Sequence, residues 1–96
     1  MTQPATPQHA ETAEARLKRL AMRSWRRGTK EMDLILGPFA DAQLRALGED
    51  ELRAYDALLS ENDQDLYPWI TGAQPVPEAH AALIARIGAF ARARLR

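Results

Sequence analysis

Cysteine is absent from the 96 residues. That excludes disulfides, thiolate metal sites and cysteine nucleophiles, and it fits a reducing compartment. Histidine is nearly absent as well. His9 sits in a polar stretch near the start and His80 lies far along the chain, so neither a histidine-built metal centre nor a Ser-His triad has its parts. β-branched residues are scarce: one Val, four Ile and five Thr stand against 18 Ala and 12 Leu. Ala and Leu lose little side-chain freedom in a helix, and no segment alternates apolar and polar residues at period two. An all-α fold follows. No apolar run approaches the ~18–20 residues of a membrane span. The start lacks the basic-then-apolar pattern of a secretory signal, and it carries acids where a mitochondrial transit peptide avoids them. A mature cytoplasmic protein without membrane association is therefore expected.

A net charge of either sign is also missing, since 13 Lys and Arg balance 13 Asp and Glu. The charge is segregated, however. Residues 16–30 hold seven cations and no acid, whereas residues 31–66 hold ten acids and only Arg45 and Arg53. Such a chain can steer a partner of mixed charge, and its acidic block argues against a general polyanion binder. The length and an apolar content of 46% suit one modest core and exclude a two-domain enzyme closing over a substrate.

The chain divides into a tail over 1–12 and one helical domain over 13–96. Residues 1–12 hold two prolines and almost no large apolar side chain, so they do not offset their own ordering entropy and are expected to be disordered. A first helix is predicted over 13–26, with Leu17, Leu20, Ala21, Ser24 and Trp25 on its inner face and Gly28 just past its end. Thr29 is placed to cap a second helix whose first turn holds Glu31 and Asp33. Pro38 predicts a kink in it, although the apolar phase survives through Met32, Ile35, Leu36, Phe39, Ala40, Leu44 and Leu47. A third helix starts at Gly48 with Leu47 and Leu52 as a hydrophobic staple and ends near Ser60. Asp63 is expected to cap a short fourth helix carrying Leu66, Trp69 and Ile70, ended by Gly72. Pro77 is read as the first residue of a last helix that turns Leu83, Ile87, Phe90 and Leu95 inward. The sum is a compact five-helix antiparallel bundle.

Two segments carry unusual chemistry. Trp25-Arg26-Arg27-Gly28-Thr29-Lys30-Glu31-Met32-Asp33 packs three cations, a glycine and two acids into a helix-helix corner. It reads either as a charged turn with a cap glycine or as a recognition corner, where an arginine fork suits a carboxylate or phosphate and the glycine lets another backbone approach. Asp63-Gln64-Asp65-Leu66-Tyr67-Pro68-Trp69 reads as a capped helix whose aromatics close the core. Alternatively, one of Tyr67 and Trp69 is an exposed anchor, since the two face different directions on a helix. The basic stripe of the first helix suits a solvated face better than a nucleic-acid contact. Catalysis scores poorly: no nucleophile has an adjacent base, no glycine loop cradles a phosphate, and nothing marks out Lys30 or a carboxylate for the acid-base work open to them.

The stretch Arg26-Arg27-Gly28-Thr29-Lys30-Glu31-Met32-Asp33 resembles the RGxxE signature of the succinate dehydrogenase assembly factor 2 family of FAD assembly factors. Leu34 to Phe39, Leu47 to Leu52, Leu58-Leu59 and Asp63 to Ile70 resemble the segments that follow it, in order and at matching spacing. The likeness covers residues 16–90. Gln64 departs from a common proline, which bears on helix entry more than on function. The resemblance implies a five-helix bundle that is not an enzyme. It implies an assembly chaperone that binds the flavoprotein subunit of succinate dehydrogenase, and often of fumarate reductase, and promotes covalent attachment of FAD to a histidine of that client. No cofactor is tightly bound; FAD belongs to the client. The factor is expected to be a monomer when free. The motif residues carried onto this chain are Arg27, Gly28 and Glu31, with Arg26, Lys30 and Asp33 flanking them as partner-binding candidates. Arg27 is expected to face a client carboxylate or the flavin, Gly28 to permit close approach, and Glu31 to order Arg27 or touch the client. The alternatives are another protein-interaction module such as an antitoxin-like inhibitor, and then a small nucleic-acid-binding helical protein.

Overall fold

The computed structural model describes residues 11–94, and these form five α-helices with no strand among them. They are α1 (Ala13–Trp25), α2 (Lys30–Gln43), α3 (Glu49–Leu58), α4 (Asp63–Thr71) and α5 (Ala81–Arg94). Single 3-10 turns, Leu44–Ala46 and Glu78–His80, follow α2 and lead into α5.

The starts obey local chemistry. Thr12 Oγ1 accepts from the Ala15 N–H at 3.0 Å, and Thr29 Oγ1 accepts from the Met32 N–H at 3.3 Å. Each hydroxyl satisfies a donor that the first helical turn leaves without a partner. At α3 the Gly48 N–H donates to Glu51 Oε1 at 2.9 Å. α4 ends on Gly72 at φ +87°, a left-handed position that suits glycine.

α1 lies along α2, and α5 runs against α2, α3 and α4. Leu20, Leu36, Phe39, Tyr55, Leu58, Leu66 and Ile87 form the centre of the core. Phe39 meets Tyr55 and Phe90 at 5.7 Å between ring centres, edge-on in the second case, a favoured aromatic geometry. The Tyr55 hydroxyl bonds Ser24 Oγ at 2.6 Å, and that hydroxyl also donates to the Leu20 carbonyl at 2.8 Å. Burial pushes the Tyr55 phenol up to about 12 against the opposing pull of Ser24.

Several expectations change at the level of single elements. The predicted tail covers residues 1–10, which lie outside the described residues, and two residues that are part of the fold: Thr12 caps α1 and Glu11 pairs with Arg19 at 2.9 Å. Trp25 does not enter the core. It is 39% exposed, lies on Gly37 of α2 and donates from Nε1 to Asp41 at 3.2 Å. α2 runs as one helix through Pro38, as its surviving apolar phase predicts, but it ends at Gln43, and Leu44 falls in the 3-10 turn that follows. Asn62 stands at the cap position of α4, because the Asp63 carboxylate has another partner. Pro77 precedes a 3-10 turn rather than opening the helix. Leu95 lies outside the described residues. No helix among the described residues is long and apolar enough to cross a membrane.

Candidate functional site

The loop between α1 and α2 turns on Gly28, whose φ of +107° is open to glycine and costly for other residues. Thr29 then caps α2, so two adjacent residues set the corner. Arg27 and Asp33 hold it from within. The Arg27 N–H donates to Asp33 Oδ1 at 2.6 Å. The Arg27 guanidinium turns inward, with its side chain 10% exposed. Nε donates to Asp63 Oδ1 at 2.8 Å, Nη1 to the Leu59 carbonyl at 2.6 Å and Nη2 to the Glu61 carbonyl at 2.7 Å. One planar fork thus satisfies three acceptors on the α3–α4 turn.

Arg27 is therefore a clamp between two turns and does not face outward, contrary to the expectation that it meets a client carboxylate. Nor does Glu31 order it; Asp63 does. Buried pairs of this kind cost desolvation on both sides, and removing one partner costs about 3–5 kcal/mol because the other charge is stranded.

The six candidate residues separate by direction. Arg27 and Asp33 face the protein, whereas Arg26, Gly28, Lys30 and Glu31 are exposed. Arg26, Lys30 and Glu31 make no side-chain hydrogen bond or ion pair within the described residues. A Cβ built on Gly28 meets nothing within 4 Å. The glycine is thus needed for its backbone angle, and its outer face is open to a partner.

Two concave surfaces flank the corner. One, of about 310 Å³, is lined by Thr29, Glu31, Met32, Asp63, Gln64 and Tyr67. Tyr67 is 43% exposed, while Trp69 is half-buried and stacks near His80 at 5.6 Å. Tyr67 is thus the available aromatic of the two. The other surface, of about 420 Å³, is lined by Arg19, Met22, Arg23, Arg26 and Arg27, with Met22 47% exposed.

The basic stripe of α1 is largely engaged. Arg16 pairs with Glu49 at 2.8 Å, and Asp56 accepts from Arg19 at 3.0 Å and Arg23 at 2.6 Å. The Arg19 hydrogen bond, opposed by partial burial and reinforced by Arg23, holds the Asp56 carboxyl below the usual range. Three cations of the basic block thus dock α1 to α3. Among the described residues no group of side chains has the makings of a metal site.

Sequence reasoning reached the Arg27–Asp33 stretch but missed Asp63 as the partner of Arg27 and the carbonyls of Leu59 and Glu61 as acceptors. These lie more than 30 residues away, and no local signal marks a carbonyl as a target.

Comparison with known proteins gives a consistent answer. The family model described as flavinator of succinate dehydrogenase matches residues 18–91, which include the whole corner. A protein of Candida glabrata is 44% identical over 71 residues, 71% of this chain and 46% of its own length. One from Yarrowia lipolytica is 38% identical over 78 residues, 78% of this chain and 54% of its own. One from Danio rerio is 39% identical over 72 residues, 73% of this chain and 46% of its own. All three are named "Succinate dehydrogenase assembly factor 2, mitochondrial". The chain spans about half the length of the curated relatives it matches. Their names point to the mitochondrion and overturn the expectation of a cytoplasmic protein. The acids that argued against a transit peptide prove uninformative about targeting: Glu11 pairs with Arg19 and Glu14 with Arg45 as parts of the folded domain.

Proposed function

The chain belongs to the succinate dehydrogenase assembly factor family, and from that premise we propose that it binds the flavoprotein subunit of succinate dehydrogenase and promotes covalent attachment of FAD to it. The factor acts as a chaperone and not as an enzyme. It favours a flavinylation-competent client by binding that conformation more tightly than others, which shifts its population. FAD is held by the client. The client docks on the Gly28 corner and its two flanking surfaces, where Arg26, Lys30, Glu31, Met22 and Tyr67 supply contacts and Arg27 with Asp33 keeps the turn in shape.

The observation that carries this reading is the open space over Gly28. A Cβ there meets no atom of the protein within 4 Å, so a side chain leaves the backbone into open space and its steric effect falls on whatever approaches from outside. Gly28→Ala and Gly28→Arg pay a similar backbone penalty at positive φ, on the order of 1–3 kcal/mol, and both are expected to remain folded, which thermal unfolding checks. In cells lacking the native gene, covalent flavin fluorescence of the flavoprotein subunit on a denaturing gel is expected to be restored by the wild-type chain. Gly28→Ala restores most of it and Gly28→Arg almost none. Equal rescue by both variants, at equal thermal stability, would remove the corner from the docking surface. Full flavinylation without any copy of the chain would remove the function.

A further inference from the structure

His80 is buried, far from the Gly28 loop in sequence, and unused by the docking surface. Its side chain is 10% exposed, Nε2 lies 3.0 Å from Glu61 Oε2, and the ring rests near Trp69. Nδ1 is buried and has no hydrogen-bond partner. Buried polar atoms are rarely left so, and a ring that forgoes half its bonding capacity is held by the other half. The carboxylate accepts, so Nε2 carries the proton. That bond lands on the α3–α4 turn, the same turn whose Leu59 and Glu61 carbonyls receive Arg27.

We infer that His80 is a positioning residue for the Gly28 corner, acting through Glu61. Two elements grip one short turn. Arg27 reaches the backbone of Leu59 and Glu61 from the α1–α2 corner, and His80 reaches the Glu61 side chain from the 3-10 turn ahead of α5. With Glu61 fixed by His80, its carbonyl stays aimed at Nη2, and the fork stays seated on all three acceptors. Without the His80 bond the turn keeps Arg27 and the longer Arg23–Ser60 contact at 3.4 Å, neither of which holds the Glu61 side chain, so the turn rocks and the corner above it rocks too. The 3-10 turn at His80, outside the two surfaces that flank the corner, thereby sets the order of the docking surface. This consequence for docking rests on the proposed function, whereas the clamp itself does not.

The Arg27 Nε–H resonance of the full-length 15N-labelled chain reports the clamp directly. His80→Leu keeps the bulk beside Trp69 and deletes the bond; His80→Gln restores a side-chain donor. His80→Leu is expected to speed Nε–H exchange by about tenfold or more, while the core amides of Leu36 and Phe39 keep their protection. His80→Gln returns the rate to within about twofold of wild type. Affinity for the purified flavoprotein subunit follows the same order, falling about three- to tenfold for His80→Leu and recovering for His80→Gln. Unchanged Nε–H exchange in His80→Leu overturns the inference. Should that variant fail to fold, Glu61→Ala, which trims a half-exposed carboxylate, must produce the same acceleration, and an unchanged rate again overturns it. A wild-type chain that does not bind the flavoprotein defeats the docking reading alone, because the exchange rate still decides the role of His80.

Discussion

Two glycines in this chain are required for opposite reasons. Gly28 sits at positive φ under open space, so its constraint is the backbone angle. Gly37 has an ordinary helical backbone, but a Cβ there would penetrate the Trp25 ring that lies on it. Trp25 is partly exposed and anchored through Nε1 to Asp41, so it can swing outward, at the cost of its packing and of that bond. Gly37→Ala is therefore expected to destabilise by about 1–3 kcal/mol, the usual range for overpacking. Read in a Trp69→Phe background, where Trp25 is the remaining tryptophan of the 2 in the chain, its fluorescence should shift to the red. A variant as stable as its parent, with no spectral shift, would mean that the ring does not rest on that glycine.

Between elements, α1 packs along α2 and is tied to α3 by charged side chains. The periodicity of Leu17, Leu20 and Ser24 made the inner face of α1 legible, as did Met32, Leu36 and Phe39 for α2, because burial imposes a spacing that sequence displays. The charged side chains were not legible in the same way. Arg16, Arg19 and Arg23 read as a solvated stripe, and only the folded arrangement puts Glu49 and Asp56 within their reach. Arg27 is the sharper case: its motif was visible, but its role as an inward clamp depends on the carbonyls of Leu59 and Glu61. The Asp56 pairing predicts an acid dependence. A carboxyl held below its unfolded value contributes stability that is complete above about pH 5, and this is lost as pH falls through the unfolded and then the folded value. Asp56→Asn should thus cost about 1–2 kcal/mol at neutral pH, where charged hydrogen bonds are lost. In urea unfolding at pH 3 the gap from wild type should narrow. A gap that stayed constant with pH would assign the loss to shape and not to charge.

For the whole molecule, segregation along the chain becomes neutralisation in space. Of the seven cations of residues 16–30, Arg16, Arg19 and Arg23 meet Glu49 and Asp56 across α1 and α3, and Arg27 with Asp63 closes the end of that seam. What is left outward near the corner is a mixed set, with Arg26, Lys30 and Glu31 beside exposed Met22 and Tyr67. A surface of that kind suits a folded protein with both charges and apolar side chains better than a polyphosphate. Phosphate binding requires several cations free to displace counterions, and here Arg16, Arg19, Arg23 and Arg27 are already engaged. The chain should consequently bind duplex DNA no more tightly than about 10⁻⁴ M at physiological salt, the weak end of non-specific binding. Fluorescence anisotropy over a salt series tests this. A micromolar affinity that falls steeply with salt would show that nucleic acid can pull the arginines of α1 away from Asp56 and Glu49. The seam between α1 and α3 would then be a switchable contact. With weak binding at every salt concentration, it is part of the scaffold that carries the Gly28 corner.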